Sequence, residues 1–127
     1  MEKQIINTSN APSAIGPYSQ AVKVGNLLFT SGQIPLNPQT GELVTDNIEN
    51  AAEQVMQNLK AILEEAGTKF ENVIKTTVLL RDINDFGKVN EVYAKYFSSE
   101  QPARSCFQVG KLPKDAFLEI EVTAIVE

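Results

Sequence analysis

The chain has 127 residues, enough for one domain with a single small core. It contains no His, no Trp and one Cys, Cys106. That excludes a Ser-His-Asp triad, a Cys-His pair, a His-ligated metal, an internal disulfide and a Cys-rich zinc site.

The 11 Lys and Arg stand against 16 Asp and Glu, a formal net charge of -5. An acidic chain without a basic run is a poor partner for nucleic acid or an anionic membrane surface. Only two basic residues are Arg, Arg81 and Arg104. The first twenty residues lack the apolar core of a signal peptide, and no apolar run approaches the ~20 residues of a membrane span. One cysteine and no leader make the reducing cytoplasm the expected location.

A single domain over residues 1–127 is expected, without linker or repeat. Lys3 to Ile6 reads as a short strand. Asn10 to Tyr18 is a loop punctuated by Pro12, Gly16 and Pro17. Ala21–Val24 and Leu27–Ser31 flank Gly25-Asn26, the pattern of a tight β-hairpin. After a Pro- and Gly-containing loop, Ile48, Ala51, Ala52, Val55, Met56, Leu59, Ile62, Leu63 and Ala66 recur at helical spacing. Asp46 and Glu49 fit a capping box, and Gly67 suits a left-handed stop.

Val73 to Arg81 is rich in β-branched residues. Alternation puts Ile74, Thr76, Val78 and Leu80 on one face and Val73, Lys75, Thr77 and Leu79 on the other. A second helix is predicted over Asp85 to Phe97, capped by Asp82 or Asn84. Arg104 to Val109 and Leu118 to Val126 read as strands. In the last, Leu118, Ile120, Val122, Ala124 and Val126 oppose Glu119, Glu121, Thr123 and Ile125.

The order βββ-α-β-α-ββ implies an α+β fold: a six-stranded sheet with two helices on one face. The second face mixes apolar and charged residues, so a homo-oligomer is expected, with sites between subunits.

Arg104 is the strongest candidate site residue. It follows Pro102 at the start of a strand, and its planar fork matches a carboxylate. The plainer reading is a structural ion pair to Glu119 or Glu121. A strand carboxylate in a partly closed pocket can move a proton. Glu119 and Glu121 share parity, so spacing does not choose between them. If their strand neighbours that of Arg104, arginine and carboxylate share one pocket.

Cys106 lacks a His to activate it and reads better as a structural residue whose backbone lines a site. Tyr18 sits in a rigid loop. Ser31-Gly32-Gln33 ends a strand, and the glycine allows close approach. Phe86 and Asn90 share a helix face. Each of these is as readily structural. Lys75 as a Schiff-base amine needs a depressed pKa that nothing in the sequence supplies.

Six segments together carry a resemblance: Ala14-Ile15-Gly16-Pro17-Tyr18-Ser19-Gln20, Thr30-Ser31-Gly32-Gln33-Ile34-Pro35, Val73 to Asp85, Val89-Asn90-Glu91-Val92-Tyr93, Pro102-Ala103-Arg104-Ser105-Cys106, and Leu112 to Ala116 running into Glu119-Ile120-Glu121. In this order, over nearly the whole chain, they resemble the reactive-intermediate deaminase family (RidA, or YjgF-like). The resemblance implies a chorismate-mutase-like fold with a mixed sheet, a homotrimer, and three sites at subunit interfaces.

It also implies hydrolysis of 2-imino or enamine acids, such as 2-iminopropanoate from 2-aminoacrylate and 2-iminobutanoate, to 2-oxo acids and ammonia. No cofactor is needed. The substrates come from pyridoxal-phosphate-dependent serine and threonine dehydratases. Matched residue by residue, Arg104 binds the carboxylate, Glu119 rather than Glu121 positions water, and Tyr18 is the pocket tyrosine. Cys106 contributes backbone, and Ser31, Gly32, Phe86 and Asn90 are further pocket positions.

Three rival readings exist. One is a regulatory or interaction protein that binds a metabolite without turnover. Another is an RNA-acting protein, which the charge, the two Arg and the absence of His oppose. The third is a chaperone-like protector, which the sequence neither supports nor opposes.

Overall fold

In the computed structural model, which describes residues 1–127, β1 spans Lys3–Ile6, β2 Ala21–Val24 and β3 Leu27–Thr30. They form an antiparallel meander, and its second turn is Gly25-Asn26 with Gly25 at φ +58°. α1 spans Ile48–Glu65, β4 Val73–Leu80, α2 Phe86–Tyr96, β5 Ala103–Gln108 and β6 Leu118–Ile125. The predicted element order holds, with boundaries shifted by a residue or two.

The sheet runs β1-β2-β3-β6-β4-β5. Every pair is antiparallel except β4 with β5, which α2 connects by a crossover. The last strand in sequence therefore lies in the interior of the sheet. The core is one cluster of 25 buried residues between the helices and one sheet face. α1 contributes Val55, Met56, Leu59, Ile62 and Leu63; β6 contributes Leu118, Ile120, Val122 and Ala124. Strict alternation along β6 is what buries every second residue.

Three local expectations need correction. Ile74 does not face the core. The register with β6 jumps between Val73 and Lys75, so a bulge inserts Ile74 as the extra residue. Val73 is buried at 4% exposure, and Ile74 is turned out at 44%. The cap of α1 is Asn47, not Asp46: Asn47 Oδ1 accepts from the Asn50 amide at 2.8 Å, while Asp46 accepts from the Asn50 side chain at 2.7 Å. Asp82 caps not α2 but the short 3-10 turn Ile83–Asp85 before it, accepting from the Asn84 amide at 2.9 Å. The helix stop at Gly67, φ +81°, is as predicted.

The far face of the sheet has no helix. It carries Phe29 and Phe107, 46% and 55% exposed, with Ile5, Ile74 and half-buried Leu79. No helix is long and apolar enough to cross a membrane.

Asn58 ties α1 to the segment after β3. It is buried, its Nδ2 donates to the Ile34 and Leu36 carbonyls at 3.3 and 2.9 Å, and its Oδ1 accepts from Gln54 at 2.9 Å. Replacing it with Ala strips two carbonyls of their donor. Urea denaturation of Asn58→Ala is expected to show a loss of ~1–3 kcal/mol, the cost of unsatisfied buried groups; unchanged stability would mean that water replaces the amide.

Candidate active site

Arg104 opens β5 and lies beside Thr76 of β4 in the parallel register. Thr76 is fully buried on the helix face, so Arg104 points the same way, toward α2. Its guanidinium is held from three directions. Nη1 donates to Asn90 Oδ1 at 2.6 Å, and Cζ lies 5.1 Å from the Phe86 ring centre and 4.8 Å from that of Tyr93. The expected ion pair to Glu119 or Glu121 is absent. A neutral amide oxygen leaves the positive charge uncompensated, and donors on the rest of the fork stay free. A cleft of about 490 Å³ opens here, lined by Arg104, Asn90, Tyr93, Phe97, Gln101 and Pro102. It contains no carboxylate.

Glu119 lies on β6 opposite Leu79, in the row that also holds Phe107. That row belongs to the helix-free face. The two charged candidates therefore do not share a pocket within one chain. β4 lies between their strands, and alternation sends them to opposite faces. The conditional expectation of a common pocket on neighbouring strands is overturned by the strand order.

Glu119 instead lines a cleft of about 530 Å³ with Tyr18, Ser31, Gly32, Ile34, Gln20 and Lys114. Its carboxylate is half-buried against Gly32. A Cβ at position 32 would sit 2.6 Å from Glu119 Cδ, so only glycine leaves room for that carboxylate. A backbone bridge between Gln33 and Ile120, at 2.9 and 3.1 Å, fixes this approach. Burial pushes the Glu119 carboxyl above the usual glutamate range, and the neighbouring Glu121 charge pushes it further. Glu121 itself is exposed. The two carboxylates that spacing left equivalent are thus distinguished by surroundings.

The rest of the Glu119 cleft comes from loops. Ser31 Oγ donates to the Ser19 carbonyl at 2.6 Å, which leaves its lone pairs directed elsewhere. Tyr18 is exposed, with its ring on the turn made by Gly16 at φ +123°. Buried Gln20 holds the loop over the cleft: it accepts from the Thr8 amide at 2.7 Å and donates to the Thr8 and Pro12 carbonyls at 3.0 and 2.8 Å. Lys114 and Asp115 both have φ +56°, a strained conformation at the cleft rim. Arg81 clamps that turn, donating to Asp115 at 3.0 and 3.3 Å and lying 4.4 Å over Phe117.

Sequence reasoning missed Gln20, Lys114 and Tyr93 as site residues. All three lie inside the segments that carried the resemblance, and that was the available signal. Cys106 lies two residues beyond Arg104, half-buried against the core. Burial raises its thiol pKa, with Arg104 opposing, so the sulfur stays protonated and is a poor nucleophile. Lys75 donates to Ser105 at 3.0 Å on the exposed side and lines neither cleft. No group of His, Cys, Asp and Glu is arranged to hold a metal.

Carboxyl-resolved NMR titration checks the electrostatics of Glu119. Glu121→Gln removes a like charge, so the Glu119 midpoint is expected to fall toward the ordinary value. Gly32→Ala is expected to lower it too, by evicting the carboxylate into water. A midpoint unmoved in both variants would contradict the burial and charge argument.

Comparison with known proteins now places the chain. A family model described as endoribonuclease L-PSP matches residues 8–126. The chain is 51% identical over 123 residues to human 2-iminobutanoate/2-iminopropanoate deaminase, covering 97% of this chain and 90% of that protein. It is 55% identical to a RutC family protein of Pyrococcus horikoshii, over 98% and 99% of the two chains. Among solved structures, Escherichia coli TdcF with bound serine superposes with a TM-score of 0.92 at 48% identity, over 98% and 99% of the two chains. RidA from Psychrobacter does so at 0.93 and 46%, over 97% and 99%. The match over nearly the whole length, in sequence and in fold, shows that this chain belongs to the YjgF/RidA family.

Proposed function

We propose that the protein is an imine deaminase, hydrolysing small 2-imino acids to 2-oxo acids and ammonia at sites built between the subunits of a homotrimer. The observation that carries this reading is the division of the site within one chain. One cleft offers a preset carboxylate clamp without an acid or base; the other offers a half-buried carboxylate without the arginine. Each supplies what the other lacks. The uncovered apolar sheet face gives neighbouring subunits a reason to meet. Names of relatives at about half identity support the chemistry.

In this reading Arg104 grips the substrate carboxylate with its two-pronged fork, and Asn90, Phe86 and Tyr93 hold the fork in place. Glu119 of the neighbouring subunit holds a water against C2 of the imine. As the water oxygen bonds to C2 of the protonated imine, the C=N π pair moves to its cationic nitrogen and Glu119 takes the released proton. That proton passes to nitrogen. The C–N bond then breaks, ammonia leaves, and Glu119 takes the hydroxyl proton as the C=O bond forms.

Tyr18, Ser31 and the backbone near Cys106 orient the nitrogen and the tetrahedral centre. The imine is already electrophilic, so placement and one proton relay suffice. The residues named need no cofactor. The substrates are products of pyridoxal-phosphate-dependent dehydratases acting on serine and threonine, and the expected setting is the cytoplasm.

The descriptions of one relative and of the family model favour other readings. TdcF was solved with serine bound, which fits carboxylate capture without turnover. The family model's description names an endoribonuclease, and the net charge of -5 and the absence of His oppose that for this chain. Release of 2-oxobutanoate and ammonia from freshly generated 2-iminobutanoate decides for turnover.

Subunit mixing tests the shared site. Arg104→Lys keeps the charge but loses the fork, and Glu119→Gln loses the base; each alone is expected to be nearly inactive. Unfolding and refolding the two variants together at equal amounts is expected to restore about a quarter of wild-type turnover, the fraction of interfaces that pair an intact Arg104 with an intact Glu119. No recovery from mixed oligomers would place both residues in the same subunit's site and refute the arrangement.

A further inference from the structure

We propose that Tyr93, locked by Thr76, is a positioning residue that presets the Arg104 guanidinium for a carboxylate ligand. The proposal rests on the reading of Arg104 as the carboxylate clamp. Three observations carry it.

First, Thr76 is the register partner of Arg104 across β4 and β5, and it has no exposed surface. Second, the Thr76 and Tyr93 hydroxyls are 2.9 Å apart in a buried hydrogen bond, so the tyrosine ring of α2 is pinned to the strand beside Arg104. Third, the Arg104 guanidinium carbon lies 4.8 Å from the centre of that ring, closer than to Phe86. Phe97 packs on Tyr93 at 4.5 Å between centroids and closes off other ring positions.

The physical need is clear. Arginine has many rotamers, and a ligand that must first freeze them binds more weakly. A cation held against an aromatic face has already lost that freedom. The ring does not neutralise the charge, as a carboxylate partner would, so the fork stays attractive to an anion. Tyr93 thus acts through Arg104 on binding and leaves the proton relay at Glu119 untouched.

The test measures kcat and KM with freshly generated 2-iminobutanoate, and calorimetric binding of 2-oxobutanoate as a stable carboxylate probe, on the assembled protein. Tyr93→Leu removes the ring and is expected to raise KM and the 2-oxobutanoate Kd together by about fivefold, the size of a solvent-exposed cation–π contact, with kcat within about twofold. Tyr93→Phe and Thr76→Val keep the packing but cut the anchoring hydrogen bond; each is expected to raise both constants by about threefold.

These two variants carry the test if Tyr93→Leu does not fold. Unchanged KM and Kd in both, or a fall in kcat alone, overturns the proposal. Arg104→Lys in the same binding experiment separates the two levels. If it binds 2-oxobutanoate like wild type, the carboxylate-clamp reading fails and takes the proposal with it. If it binds weakly while the Tyr93 and Thr76 variants bind normally, only the positioning role fails.

Discussion

The placement of β4 between β6 and β5 is the constraint on which the site depends. β4 pairs antiparallel with β6 and parallel with β5, and the two registers together fix which residues share a face. Thr76, Val122 and Arg104 fall in one row, and Leu79, Glu119 and Phe107 in another. An odd offset along a pleated sheet reverses the face. Arg104 therefore meets α2, whose side chains can grip it, and Glu119 meets the loops that follow β1 and β3. No rotamer change brings them together, because the sheet itself lies between. A one-residue slip of either ladder would bring both to the same face and bury the core residues of that strand in the wrong place, so the core enforces the separation.

Within that frame the electrostatics follow from what each charge is denied. Arg81 has an acidic partner, Asp115, at 3.3 Å, and serves the turn that walls the Glu119 cleft. Arg104 is given an amide and two rings instead, none of which cancels its charge. Glu119 has no cation partner; glycine packing and a like charge keep its carboxyl pKa high. A raised pKa makes the ionised form a better proton acceptor, and the cost is that it protonates at a higher pH than a solvated glutamate. In the proposed mechanism, a protein without His does its proton transfer with a carboxylate whose pKa burial shifts upward.

Much of this was legible from residues alone. The helical stripe from Ile48 to Ala66 and the strict alternation from Leu118 to Val126 each bury a continuous row, so pattern and burial coincide. The bulge at Ile74 was not legible, because alternation has no mark for an inserted residue when both neighbours are apolar. The caps slipped because Asp46, Asn47, Asp82 and Asn84 are all competent acceptors, and backbone angles decide among them. The pairing partner of β6 was the consequential gap. Period two gives parity but not neighbours. The choice of Glu119 over Glu121 came from family likeness, and its physical reason, the missing Cβ at Gly32, appears only when β3 is brought against β6.

The open face and the residue proposed for acid–base work are the same piece of the molecule. Glu119 lies in one row with Leu79 and Phe107, on the side that no helix covers. Any subunit that seats itself there removes water from the apolar residues and from the carboxylate at once. The apolar part favours assembly; the carboxylate part raises the pKa of Glu119 beyond what a single chain achieves. A cationic substrate nitrogen delivered by the neighbouring Arg104 would offset that rise at the moment of binding. Assembly, the tuning of the base and the arrival of the clamp are in that case one event, governed by how the strands were ordered.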